Sequence, residues 1–181
     1  MTNENTIATS AEANADMDTE STEEAVPMRI LKVATCPSLS SRSELTYHVG
    51  VNRDTNALGL RIWRNSASGM FSNSWTALVE VSKLLATPEP FTSSALKPLF
   101  ESTSRNNPGF HLAVLQGLGL IEKEPNKRNT YCTASPDKFL ASVQALIAAG
   151  VDLDPDDDPS DELAIAATEV PKRGRPKKQA T

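Results

Sequence analysis

The chain is 181 residues long with a formal net charge of −5, and 39% of it is hydrophobic. That length suits one domain plus tails, and no apolar run approaches the roughly 18 residues of a membrane span. The sequence opens without a basic, then apolar, leader, so a secretory signal is not expected and an intracellular, soluble chain is. Charge is unevenly spread: residues 1–27 carry −7, residues 28–150 carry +5, residues 151–170 carry −8 and residues 171–181 carry +5. The net acidity therefore comes from two tracts that flank or follow a basic central region.

Residues 1–27 are rich in Glu, Asp, Ser, Thr and Asn. They hold too little apolar surface to offset chain entropy and are expected to be disordered. From Met28 to about Asn65 the pattern is that of strands. RILKVATC is apolar and β-branched, and Leu45, Tyr47, Val49 and Val51 alternate with more polar neighbours. In LGLRIW, Leu58, Leu60 and Ile62 share one face while Arg61 and Trp63 take the other. NRDTNA between the last two strands is expected as a hairpin loop, giving a small antiparallel sheet.

From Asn73 the period lengthens to that of a helix. Trp75, Leu78, Val79, Leu84 and Leu85 fall broadly on one face, with Asn73 or Ser74 as cap. A short helix through ALKPLFE, capped by Ser93 or Ser94, is limited by Pro98. After STSRNNPG, with Pro108 near a first helical position, a third helix is expected over FHLAVLQGLG. LIEKEP and NTYCTA flank the polar turn NKR as a two-strand hairpin. The final helix, SPDKFLASVQALIAAG, is expected to turn Phe139, Leu140, Val143, Leu146 and Ile147 inward and to stop at Gly150. The expected fold class is α+β: a core over 28–150, β-rich over 28–72 and helical over 73–150. An acidic linker over 151–170 and a basic tail over 171–181 complete the chain.

The order of helices and hairpin over 73–149 resembles a winged helix-turn-helix domain, most clearly in LAVLQGLGLIEKEPNKRNTYCTASPDKFL. It departs from that pattern in the second helix, which Pro98 interrupts. The resemblance implies a recognition helix over Phe110–Leu118, with Arg105, Asn106, Asn107, His111 and Gln116 as candidate base contacts. Lys123, Lys127 and Arg128 on the wing would meet phosphates or an adjacent minor groove. Domains of this type also serve as protein-binding modules, and a Lys-Arg turn is also what a plain solvated hairpin shows.

The tail PKRGRPKKQAT carries KRGRPKK, which resembles the AT-hook, a short minor-groove binder built on Arg-Gly-Arg-Pro. Arg173, Gly174, Arg175 and Pro176 supply that core, flanked by Lys172, Lys177 and Lys178. The narrow minor groove of AT-rich DNA is strongly negative and lined by acceptors, which suits inserted Arg side chains. Gly174 avoids the groove floor, Pro176 keeps the backbone extended, and the lysines can reach flanking phosphates. The same letters also fit an import signal or a generic anion-binding tail. A lone hook binds weakly, so a second contact is implied, from the core or from a second copy in a homodimer. The adjacent acids could fold back on the hook's bases, or serve as a solubilising spacer.

Catalysis and cofactors are not expected. His48 and His111 lie near no recognisable nucleophile motif, and each reads as a surface or satisfied core residue. Cys36, His48, His111 and Cys132 are spaced by 12, 63 and 21 positions, which matches no zinc module. The two cysteines are expected as reduced core residues. The expected protein is a transcriptional regulator or nucleoid- or chromosome-associated protein that prefers AT-rich duplex DNA. It would be cytoplasmic, or nuclear in a eukaryote. The alternative is a protein-interaction adaptor whose basic tail only localises it. Arg53, Arg61 and Arg64 among the aromatics of the sheet segment are compatible with a nucleic-acid face or with core packing.

Overall fold

The computed structural model describes residues 27–159. The expected three strands form: β1 Met28–Pro37, β2 Glu44–Asn52 and β3 Leu58–Asn65, paired antiparallel in that order. The β2–β3 turn is fixed by Asn52, whose Oδ1 accepts the N–H of Asp54 at 2.9 Å and of Thr55 at 2.8 Å. This is an Asx turn of the kind that the Asn-Arg-Asp stretch favours. Asn56 takes the left-handed region at φ 57°, where Asn is well tolerated.

The helix expected from Asn73 does not begin there. Residues Thr76–Ala77 form a fourth strand, β4, paired with Gly59 and Leu60, and the helix α1 covers only Leu78–Leu85. Trp75 therefore lies on the sheet and not on a helical face, and neither Asn73 nor Ser74 caps the helix. Its buried residues are Leu78, Val81 and Leu85, whereas Val79 is exposed. The reason is tertiary: Gly50 and Gly59 are direct partners in β2 and β3, and the Trp75 indole lies across both. A methyl group built on Gly50 would come within 2.6 Å of that ring. The paired glycines make a flat floor that no other residue pair would leave open.

The segment around Pro98 is a 3-10 helix, Ser93–Phe100, capped by Thr92, whose hydroxyl accepts from the Ser94 N–H at 3.3 Å. Helix α2 spans Asn107–Gly117 with Pro108 in its first turn, three residues earlier than the sequence suggested. Gly119, at φ 70°, ends it. Strands β5 Ile121–Lys123 and β6 Tyr131–Thr133 form the expected hairpin. Tyr131 also exchanges two backbone hydrogen bonds of 2.8 Å with Phe91, so the hairpin is anchored to the segment that precedes the 3-10 helix. Helix α3, Asp137–Ala148, buries Phe139 and Val143, while Leu146 is half-buried. Leu140 and Ile147, expected to face inward, are instead 39% and 37% exposed.

One face of the sheet and the helices share a single core, in which Leu45, Tyr47, Val49, Leu60 and Ile62 join Val81, Leu96, Leu112, Leu115 and Phe139. The architecture is thus α+β, with the helices on one side of a four-stranded antiparallel sheet. The opposite face is also covered: Ile30, Val33 and His48 are buried there. Part of that cover is the beginning of the acidic tract, which was expected to be a solvated linker. Leu153 bridges Ile30 of β1, its N–H donating to the Ile30 carbonyl at 2.9 Å.

Candidate nucleic-acid interface

The helix expected to read bases is enclosed. Asn107, Pro108, His111, Leu112, Ala113, Val114 and Leu115 of α2 are all buried, as befits a helix that is apolar around most of its circumference. Asn107 accepts from the Ser72 N–H at 3.1 Å and donates to the Thr103 hydroxyl at 3.1 Å. His111 must donate from Nδ1 to the Asn107 carbonyl at 3.0 Å, which leaves Nε2 to accept from the Thr76 hydroxyl at 3.1 Å. Both polar side chains are spent inside the core. This corrects their assignment as base contacts. Arg105, Asn106 and Gln116 are exposed at the two ends of α2, with Asn106 donating to the Met70 carbonyl at 2.9 Å.

Lys123, Lys127 and Arg128 are exposed on the hairpin and line one open cleft of about 930 Å³. The opposite wall comes from two other places: Leu39, Ser40 and Arg42 of the β1–β2 loop, and Thr92 and Ser93 where the 3-10 helix starts. The hairpin loop keeps its shape through a Glu124 N–H to Thr130 carbonyl bond of 2.9 Å and left-handed Asn126 and Asn129. Four cations and one carboxylate thus line the cleft. Among the described residues, none of Arg42, Lys123, Lys127 and Arg128 belongs to an ion pair. The carboxylate, Glu124, accepts from the Cys132 thiol at 2.9 Å, and that bond is the main reason the thiol is held above its usual range. Hydroxyls of Ser40, Thr92 and Ser93 and amides of Asn126 and Asn129 add neutral donors. Chemically the cleft offers fixed positive charge, neutral hydrogen-bond donors and little apolar depth. Arg42 escaped the sequence reading because only the fold brings its loop opposite the hairpin.

On the other sheet face the Arg61 guanidinium is held between two indoles, 4.4 Å from the Trp63 centroid and 4.6 Å from that of Trp75. Its Nε donates to His48 Nδ1 at 3.0 Å. The strap of residues 151–159 runs over this cluster. Asp152 pairs with Arg53 at 2.5 Å, and Asp156 pairs with Arg64 at 2.5 Å while accepting from the Trp63 indole N–H at 3.1 Å. Side chains in these pairs are 46–69% exposed, so water and salt screen them and each contributes under about 1 kcal/mol.

The two histidines carry a pH signature. Burial pushes His111 down to about 4, against a smaller opposing effect of the Asn107 carbonyl. His48 also falls to about 4, first through burial and then through the Arg61 charge, with the Pro155 carbonyl and Asp156 opposing. Both are neutral in the folded chain near pH 7. Because the folded values lie below the unfolded one, their contribution is complete above about pH 6.5 and is lost as pH falls toward 4. His111 costs about 2 kcal/mol by pH 5, since the unfolded chain gains protons that the folded chain refuses, and His48 adds a loss of the same sign. Urea denaturation at about pH 7 and pH 5 is expected to show that loss; equal stability at both would contradict the buried, neutral assignment.

The hook residues Lys172, Arg173, Gly174, Arg175, Pro176, Lys177 and Lys178 lie outside the described residues. Among the described residues, no helix is long and apolar enough to cross a membrane, and no cluster of three His, Cys, Asp or Glu side chains forms a metal site. Cys36 is a buried thiol pushed up to about 11, chiefly by burial and secondarily by Glu44. Comparison with protein-family models, curated proteins and solved structures finds no match.

Proposed function

We propose that the chain is a non-catalytic DNA-binding protein, a transcriptional regulator or chromosome-associated protein. Its C-terminal hook enters the minor groove of AT-rich duplex while the cleft of Arg42, Lys123, Lys127 and Arg128 grips the phosphate backbone. The observation that carries this reading is the convergence, from two separate loops, of four cations that have no ion-pair partner among the described residues. Unpaired cations gathered on one surface repel one another, and a polyanion relieves that repulsion while releasing counterions. The winged-helix resemblance supports the hairpin half of the site and not the helix half, because α2 is buried.

Tail and cleft can act on one duplex. Asp156 lies at Arg64, near the sheet end where Ser66 and Glu44 are hydrogen-bonded, two residues from Arg42. Twelve residues separate Pro159 from Lys172, so thirteen steps of chain give a contour of at most about 45 Å. That exceeds one turn of DNA, about 34 Å. A nucleoid or nuclear location follows from the same reading. The exposed Val79, Leu140 and Ile147 favour an additional protein contact, such as a second copy of this chain, which would bring two hooks to one site.

The experiment is a binding titration on AT-rich and GC-rich duplexes across a salt series, using the full chain and one ending at Val170. Truncation is expected to weaken AT-rich binding most and to reduce the salt slope by about 0.9 per lost phosphate contact. Equal binding to both duplexes, unchanged by truncation, would contradict the hook.

A further inference from the structure

The strap does more than end the domain. Its carboxylates reach the cationic and aromatic groups of the outer sheet face in the way an extended anionic chain would. Asp152 takes Arg53 at one end, and four residues later Asp156 takes both Arg64 and the Trp63 N–H. Between them Pro155 passes near His48. Beneath lies the Trp63–Arg61–Trp75 stack, and Trp63 keeps part of its ring in solvent.

We propose that this face, centred on Arg53, Trp63 and Arg64, is a second nucleic-acid-binding surface, for single-stranded segments, and that Asp152 and Asp156 occupy its phosphate positions in the free protein. The inference deepens the DNA-binding reading and rests on it for the class of ligand. Single strands are favoured over duplex because an indole can stack only on a base whose face is open, and a duplex hides those faces. Guanidiniums beside aromatic rings, spaced along an extended track, are the arrangement such strands require. The strap is displaceable, because its two ion pairs are solvent-exposed and, among the described residues, its backbone meets the sheet at a single bridge, Leu153 to Ile30, and at His48 through the Pro155 carbonyl.

The two tryptophans of the chain are Trp63 and Trp75, so intrinsic fluorescence reports on this face alone. The test titrates an oligothymidine of about twenty nucleotides into the full chain and into Asp152→Asn/Asp156→Asn, following tryptophan quenching. The double variant is expected to bind about tenfold tighter at low salt for each phosphate position freed, with quenching. Asp154→Asn/Asp158→Asn makes the same change in net charge away from the arginines and should give little gain. Adding Arg64→Gln to the first double variant should remove most of its gain. If Asp152→Asn/Asp156→Asn fails to fold, the single Asp156→Asn carries the same test. Equal gains from the two double variants, or binding without quenching, would overturn the proposal. Neither result bears on duplex binding: Lys123→Gln/Lys127→Gln/Arg128→Gln leaves the strap effect intact under this proposal, whatever it does to duplex affinity.

Discussion

Replacing Lys123, Lys127 and Arg128 together with Gln is expected to lower duplex affinity by up to about 500-fold at about 0.1 M salt and to reduce the salt slope by up to about 2.7. All three side chains are exposed on the hairpin that walls the cleft. Each phosphate contact removed costs close to one decade at that ionic strength, and the upper bound applies if all three meet phosphate. Arg42→Gln alone should give about one third of the slope change, because it supplies the facing wall. The thermal midpoint should hardly move, since none of these cations has an ion pair to lose among the described residues. Fluorescence anisotropy with an AT-rich duplex measures the effect. A triple variant with undiminished affinity would remove the cleft from the interface.

Gly50→Ala is expected to destabilise the fold by about 2–3 kcal/mol, seen as a fall in thermal midpoint of roughly 5–10 °C. The added methyl would lie 2.6 Å from the Trp75 ring and 3.0 Å from the Arg29 carbonyl. The ring could tilt, but the carbonyl belongs to the neighbouring strand and cannot move without breaking the β1–β2 register. Displacing Trp75 would also strip one side of the Arg61 stack, so tryptophan emission should shift to the red together with the loss of stability. A variant as stable as the parent would mean that Trp75 does not pack on the paired glycines.

Much of the sheet was legible because its alternation is local. Leu45, Tyr47, Val49 and Val51 take the core face as their period requires, and Asn52 signals its own turn. The stop at Gly150 was legible too, since that glycine takes the positive φ that ends a helix. Trp75 misled because its spacing to Leu78 fits a helix, while its real partner is a glycine pair on two other strands. That relation exists only after folding. Asn107 and His111 look like polar exceptions on an apolar helix, and their partners Ser72, Thr103 and Thr76 cannot be assigned from spacing. For α2 the signal was present: a helix apolar nearly all round is an interior helix. The strap was hidden by its acid count, which masked Leu153 and Pro155 as anchors, and the partners of Asp152 and Asp156 lie about 90 to 100 residues away in sequence. For the cleft, Lys123, Lys127 and Arg128 were legible as a charged turn, whereas Arg42 was not.

Amide chemical-shift mapping of the full chain with an AT-rich duplex of about one helical turn locates the interface in one titration. The expected result is perturbation at Arg42, Thr92, Lys123, Lys127 and Arg128 together with the Lys172–Lys178 segment, while buried Asn107 and His111 of α2 stay nearly still. An unperturbed cleft, or shifts centred on another surface, would contradict DNA binding through these loops.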